Sequence, residues 1–211
     1  MKFSKEQKAI LIGMVLGDAY LQKTGKKNAR LRLEQGARQK DYLFWKVSQL
    51  PKLFQGKPNY LERKHPISGE IYKYWRHQSN STPELGKWRA MFYPDGKKRI
   101  PENLKDILKN YLSLAVWYMD DGYYYNRDKV SYLYLGKVSK EEAETAKIIF
   151  EKNFEIFPKV LDKKQKGFAL YFSPKETIKF HKKIKAFILP LFNYKLSKNL
   201  LDPVTTDPLS G

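Results

Sequence analysis

Apolar positions along the chain follow two rhythms. Two near-continuous runs, Leu11-Ile12-Gly13-Met14-Val15-Leu16-Gly17-Asp18-Ala19 and Leu114-Ala115-Val116-Trp117-Tyr118-Met119-Asp120-Asp121-Gly122, predict buried helices that each end at an aspartate. Shorter stretches with alternating or bulky residues predict strands at 29–35, 71–76, 130–135 and 168–173. In the first of these, alternation sets Arg30, Arg32 and Glu34 on one face and Leu31 and Leu33 on the other, so one face is wet and basic. Helical spacing fills 40–50, 139–154 and 174–189, and Ser139 and Glu142 have the spacing of a capping box. Pro101, just ahead of Asn103-Leu104-Lys105-Asp106-Ile107-Leu108, predicts a short connecting helix. Residues 202–211, rich in Pro, Thr, Asp and Ser without periodicity, predict a frayed tail.

The two apolar runs align residue for residue, and their acids, Asp18 and Asp121, lie 103 positions apart in 211. The simplest account is a chain of two related halves, 1–100 and 101–201, each opened by an apolar helix ending in Asp. Gly13 and Gly17 share a helix face and let another backbone approach, which offsets the cost of glycine inside a helix. If the two helices cross side by side about a pseudo-twofold axis, Asp18 and Asp121 meet at the end of their interface. Taken singly, each segment reads as an ordinary core helix followed by an Asp turn; duplication at half-chain spacing shifts the balance toward shared chemistry.

Charge sharpens the picture. Forty-one Lys and Arg against 22 Asp and Glu give a net charge of +19, which points to a polyanionic partner, with nucleic acid the leading class. Dividing after Ile100 gives 22 basic against 8 acidic residues in the first half, net +14, and 19 against 14 in the second, net +5, so unequal halves should meet unequal half-sites. With 42% hydrophobic and 15% aromatic residues the chain can bury a sizeable core. Cysteine is absent, which excludes a disulfide framework, a thiol nucleophile and a Cys-based zinc site. His65, His77 and His181 lack metal-ligand spacing and are expected at the surface or facing DNA. Lys2, Lys5 and Lys8 ahead of an apolar run mimic a signal peptide, yet Asp18 closes that run and the same pattern returns at 114–121. No stretch approaches the roughly 20 apolar residues that cross a bilayer. The expectation is a soluble, intracellular protein of the cytoplasm, nucleoid or an organelle matrix, with no membrane partner.

The paired segments, with Gly13, Gly17 and Asp18 in the first copy and Asp121-Gly122 in the second, resemble the signature of the LAGLIDADG homing endonucleases. The resemblance is to the single-chain, intron-encoded type and covers about Ala9 to Lys195. Gly96-Lys97-Lys98-Arg99-Ile100-Pro101 and Leu189-Pro190-Leu191-Phe192-Asn193-Tyr194-Lys195-Leu196 also resemble stretches of that group. It implies an α/β fold of two pseudo-symmetric αββαββα-like halves in one monomeric chain. Motif helices would pack at the interface, and antiparallel sheets would form a saddle on double-stranded DNA. It also implies a lysine from each half near the metal and water cluster, at Lys98, with Lys97 as its rival, and at Lys195. The chain departs from the pattern at Ala19, where the first copy lacks the final glycine, and at Val116 and Asp120, which stand opposite Gly13 and Gly17. Asp120 competes with Asp121 as a ligand; alignment with Asp18 favours Asp121 and leaves Asp120 its backbone carbonyl.

Phosphodiester hydrolysis needs a nucleophilic water, an in-line leaving oxygen and stabilisation of developing charge, and two hard cations supply all three. Mg²⁺ suits this, with Mn²⁺ able to substitute. Asp18 and Asp121 are the expected metal ligands, Gly17 and Asp120 carbonyls complete the shell, and Lys98 and Lys195 polarise water or neutralise phosphate. The resemblance implies cleavage of both strands across a narrowed minor groove, leaving short 3′ overhangs. Sequence should be read by strands in the major groove. Arg30, Arg32, Glu34, Gln35, Lys73, Arg76 and Gln78 are candidates in the first half. Tyr123, Tyr125, Arg127, Tyr132, Tyr134, Lys137, Lys163 and Gln165 are candidates in the second, although Tyr123-Tyr124-Tyr125 can also be read as loop packing. The alternatives are an RNA-splicing maturase or non-catalytic nucleic-acid-binding protein on the same scaffold, and a basic ribosome-associated protein.

Overall fold

A computed structural model of the chain describes residues 2–201. The expected frayed tail, 202–211, lies outside the described residues. The chain divides between Asn103 and Leu104 into two compact units. The first runs α1 (Lys5–Leu16), β1 (Tyr20–Lys23), β2 (Ala29–Gly36), α2 (Lys40–Gln49), β3 (Asn59–Lys64), β4 (Ile71–Gln78) and α3 (Pro83–Phe92). The second opens with the short connecting helix α4 (Leu104–Ile107). It then repeats the order as α5 (Tyr111–Asp121), β5 (Gly122–Tyr125), β6 (Val130–Gly136), α6 (Lys140–Phe154), β7 (Lys159–Asp162), β8 (Phe168–Phe172) and α7 (Pro174–Ile184). The fold is α/β, two αββαββα units in one chain. Each unit holds one four-stranded antiparallel sheet, ordered β1-β2-β4-β3 and β5-β6-β8-β7.

Local chemistry explains the helices. In α1, Ser4 Oγ accepts from the Gln7 amide at 3.0 Å and Gln7 Oε1 accepts from the Ser4 amide at 3.1 Å, a reciprocal cap that satisfies two otherwise orphaned donors. Every residue from Ala9 to Leu16 is buried, as a helix apolar on all sides requires. Asn110 caps α5 through the Leu112 amide, and Leu112 to Met119 are all buried. The expected Ser139–Glu142 capping box opens α6. In contrast, α7 stops at Ile184 and a 3-10 turn, Lys185–Phe187, takes over. Leu189, directly before Pro190, is extended (φ −69°, ψ 144°), because the proline ring excludes helical geometry from the preceding residue.

The inward face of each sheet carries the core. Residues of β2 alternate, with Leu31, Leu33 and Gln35 buried against the side on which α2 and α3 pack, and Arg30, Arg32 and Glu34 on the open side. Tyr123-Tyr124-Tyr125 is strand β5, not loop packing; Tyr124 points to the core while Tyr123 is exposed and Tyr125 half-buried. The histidines depart from expectation. His77 stacks on Phe54 in the core, and His181 is fully buried, because both fall on inward-facing positions; His65 alone is only half-buried. Among the described residues no helix is long and apolar enough to cross a membrane.

Candidate functional site

The expected acids sit where their helices end. Gly17 caps α1, its N–H bonded to the Gly13 carbonyl at 2.9 Å, and Asp18 follows with its side chain exposed. Asp121 is the last residue of α5, half-buried, with Gly122 as the cap. A carboxylate at a helix C-terminus stands against the negative end of the dipole, so each acid benefits from a nearby cation.

Each unit brings one lysine to that place. Lys98 lies in the loop after α3, which is fastened by the Arg99 amide to the Phe92 carbonyl at 2.8 Å and by the Lys97 amide to Asp95 Oδ1 at 3.1 Å. From there Lys98 Nζ donates to the Gly17 carbonyl, so of the two rivals it is Lys98 that reaches the end of α1. Lys195 closes the 3-10 turn Pro190–Lys195, and its Nζ donates to the Met119 carbonyl at 2.6 Å and the Asp120 carbonyl at 3.3 Å. The same triple therefore occurs twice: an acid, the carbonyl just before it, and an ammonium on that carbonyl.

The two triples are supported differently. Gln35, buried on the inward face of β2, donates Nε2 to Asp18 Oδ2 at 3.2 Å. The register that pairs Tyr20 with Arg32 and Tyr123 with Tyr132 makes Leu135 its counterpart, a side chain with no donor. Lys195 is only 8% exposed, whereas Lys98 is exposed. A Cβ on Gly122 would lie 2.2 Å from the Tyr118 ring and 2.4 Å from its carbonyl oxygen, so glycine is required there. The aligned positions of the first copy are Ala19 and Val15, where the helix already ends at Leu16 and the neighbouring side chain is smaller.

At each helix end the donors at hand are oxygens, the Asp18 carboxylate and Gly17 carbonyl in the first unit and the Asp121 carboxylate and Asp120 carbonyl in the second. Among the described residues no three His, Cys, Asp or Glu come together. Such a sparse, hard donor set fits Mg²⁺, which takes few carboxylates and keeps waters or phosphate oxygens in its shell.

The remaining candidates fall on several surfaces. Arg30, Arg32, Glu34, Arg76 and Gln78 share the open face of the first sheet. Gln35 is not with them; it faces inward onto Asp18. Lys73 is cross-strand to Glu62 and 3.5 Å from its carboxylate, on the opposite face from Arg76. Tyr123, Tyr125, Tyr132 and Tyr134 share the open face of the second sheet together with Tyr171, a residue not anticipated there. Lys163 lies 4.4 Å from the centre of the Tyr132 ring and Arg127 5.0 Å from that of Tyr125. Lys137 and Gln165 are exposed, Lys137 just after β6 and Gln165 in the turn before β8. Two buried residues were expected at the surface although their positions carried a signal. Gln35 continues the inward alternation of Leu31 and Leu33, and His181 continues the helical stripe of Thr177, Phe180 and Ile184.

Two αββαββα units, each with an acid and a lysine at the end of its first long helix, define a duplicated, single-chain architecture. Residues 8–180 match the LAGLIDADG DNA endonuclease family, and the chain belongs to that family. It is 29% identical over 205 residues to the probable intron-encoded endonuclease 1 of Wickerhamomyces canadensis, covering 93% of this chain and 86% of that protein. The solved structure of the homing endonuclease I-WcaI bound to its DNA recognition sequence superposes with a TM-score of 0.85 at 29% identity, over 93% of this chain and 88% of that one. A shorter similarity, 29% over 121 residues, links it to the cytochrome b mRNA maturase bI2 of Debaryomyces hansenii, over 56% of this chain and 46% of that protein.

Proposed function

We propose that this chain is a site-specific endonuclease that hydrolyses both strands of a long, asymmetric DNA duplex with Mg²⁺, leaving short 3′ overhangs. The observation that carries the reading is the repeated triple at the ends of α1 and α5. In each, an acid stands beside a backbone carbonyl held by a lysine, Lys98 on Gly17 and Lys195 on Asp120. Membership of a DNA endonuclease family and the likeness to a DNA-bound homing endonuclease support it.

Asp18 and Asp121 hold the cations, with the Gly17 and Asp120 carbonyls as further donors. Mg²⁺ held there would supply Lewis-acid chemistry, polarising the phosphate, lowering the pKa of the attacking water and stabilising the leaving oxygen. Gln35 fixes the orientation of the Asp18 carboxylate. Lys98 and Lys195 offset the negative helix ends and neutralise the scissile phosphates. The halves 1–100 and 101–201 each engage one half-site through the open face of a sheet, and the reading requires their acidic ends to act on one duplex as a monomer.

Incubating the protein with a library of random duplexes, with Mg²⁺ or with a chelator, and sequencing the ends tests this. Mg²⁺-dependent ends on both strands within one shared sequence are expected. The similarity to a maturase favours one second reading, RNA binding on the same scaffold. Tight binding of structured RNA without any DNA ends would replace the first reading with that one.

A further inference from the structure

The second unit contains a buried polar chain that the proposed chemistry does not use. Ser197 donates its amide to His181 Nδ1 at 2.9 Å. Because Nδ1 accepts, the imidazole proton sits on Nε2, which lies 3.0 Å from both Ser131 Oγ and the Tyr118 hydroxyl. The Tyr118 hydroxyl in turn donates to the Lys195 carbonyl at 2.8 Å. Five groups, the side chains of Tyr118 on α5, Ser131 on β6 and His181 on α7 with the Lys195 carbonyl and the Ser197 amide at the end of the 3-10 turn Pro190–Lys195, thus close a circuit around residues 195 and 197. Ser131, His181 and Tyr118 are all fully buried. Burial drives His181 down to about 3, so the ring is neutral and keeps its acceptor at Nδ1.

The aligned positions of the first unit have nothing comparable. Val15 stands for Tyr118 and Leu31 for Ser131, and the Lys98 loop is fastened by its own backbone and Asp95. Fastening the chain at the carbonyl of Lys195 itself and again at the 197 amide fixes where that side chain starts. From there its ammonium spans to the Met119 and Asp120 carbonyls.

We propose that His181 and Tyr118 are positioning residues for Lys195, setting the ammonium on the Asp120 carbonyl and so governing the second acidic end alone. The consequence for cleavage rests on the endonuclease reading; the placement of Lys195 does not. Loss of the circuit should slow scission at one strand and leave the other at the wild-type rate, because the first unit holds Lys98 independently.

The test uses the full chain with Tyr118→Phe, His181→Phe and His181→Asn. Tyr118→Phe removes a single hydroxyl, and His181→Asn keeps an acceptor for the Ser197 amide. First, lysines are labelled with an amine-reactive acylating reagent in metal-free buffer and read individually by peptide mass mapping. Tyr118→Phe and His181→Phe should raise Lys195 labelling several-fold, with His181→Asn close to wild type. Lys98 should be unchanged, as should Lys183, which sits on α7 bonded to the Tyr111 hydroxyl. Equal labelling of Lys195 in every variant, or a parallel rise at Lys183, overturns the proposal, the latter because it marks general loosening. Second, a duplex selected with wild-type protein is labelled on each strand, and nicked intermediates are counted. Accumulation of one nicked strand supports the proposal; equal slowing of both strands overturns it. A wild-type protein that cuts nothing would refute the endonuclease reading, and the labelling result would still decide the placement of Lys195.

Discussion

The open faces of the two sheets share one backbone plan and almost no chemistry. On the first, Arg32 and Arg76 flank Glu34, which accepts from Arg32 Nε at 2.6 Å and Arg76 Nε at 2.8 Å, while Arg30 Nε donates to Gln22 at 3.0 Å. On the second, Tyr123, Tyr132 and Tyr171 stand in cross-strand register with Tyr125 and Tyr134 beside them. The Tyr132 and Tyr171 ring centres are 5.5 Å apart. Burial, then the neighbouring tyrosines, holds the Tyr132 hydroxyl above its usual range, so it stays a hydrogen-bond donor. In the proposed function the first face would meet phosphates and guanine edges with charge, and the second thymine methyls and base-edge carbonyls with rings and hydroxyls. Below the faces the contrast reverses: the first unit holds its lysine in an exposed loop, and the second buries its lysine on a polar circuit. The acids recur in both units, while the open sheet faces and the support of the lysines differ.

The largest difference should appear on acidification. His181 is neutral in the fold, with its value near 3 against 6.5 for an unstrained histidine. Between those values the unfolded chain binds the proton and the folded chain does not. The stability that burial of the neutral ring permits is therefore present above pH 6.5 and lost progressively as pH falls toward 3, on the order of a few kcal/mol. Urea midpoints of wild type and His181→Asn should converge as pH drops; parallel curves would break the comparison.

Next in size is the glycine asymmetry. Gly122→Ala forces a Cβ into the Tyr118 ring and carbonyl and should cost about 2 kcal/mol or more. Ala19→Gly, at the aligned site, should cost about 0.5–1 kcal/mol through backbone entropy alone. Chemical denaturation of the two variants measures both, and equal losses would mean the two motif ends are packed alike.

The smallest effect sharpens the contrast between the faces. Arg30→Gln should reduce the slope of log affinity against log salt by about 1, while Tyr132→Phe should leave the slope unchanged and weaken binding uniformly across salt. Fluorescence anisotropy with a selected duplex, in Ca²⁺ in place of Mg²⁺, reads this. A changed slope for the tyrosine variant would argue that both faces work through phosphates.

Much of this architecture was legible in the residues, and what escaped did so for physical reasons. The motif helices and the central strands β2, β6 and β8 bury a face and therefore print a period on the sequence, while β4, with only His77 buried, is legible through its bulky aromatic residues. The edge strand β3 buries almost nothing, with five of its six residues exposed, so it carries no alternation to read. β1, β5 and β7 are four residues each, too short for a period to register. The acids announced themselves by repetition, whereas Lys98 and Lys195 stood out only through the family resemblance. Gln35 and His181 did not, because a lone polar residue on an apolar stripe signals burial only once its neighbours are known to face inward.

The central claim is that Asp18 and Asp121 hold the cations that cut the two strands. Its most direct test is the Asp18→Asn, Asp121→Asn double variant on a duplex selected with wild-type protein, with Mg²⁺, scoring each strand. Losing several kcal/mol of transition-state stabilisation predicts scission of both strands reduced by about a thousandfold or more, with binding in Ca²⁺ retained. Wild-type scission by the double variant would contradict it.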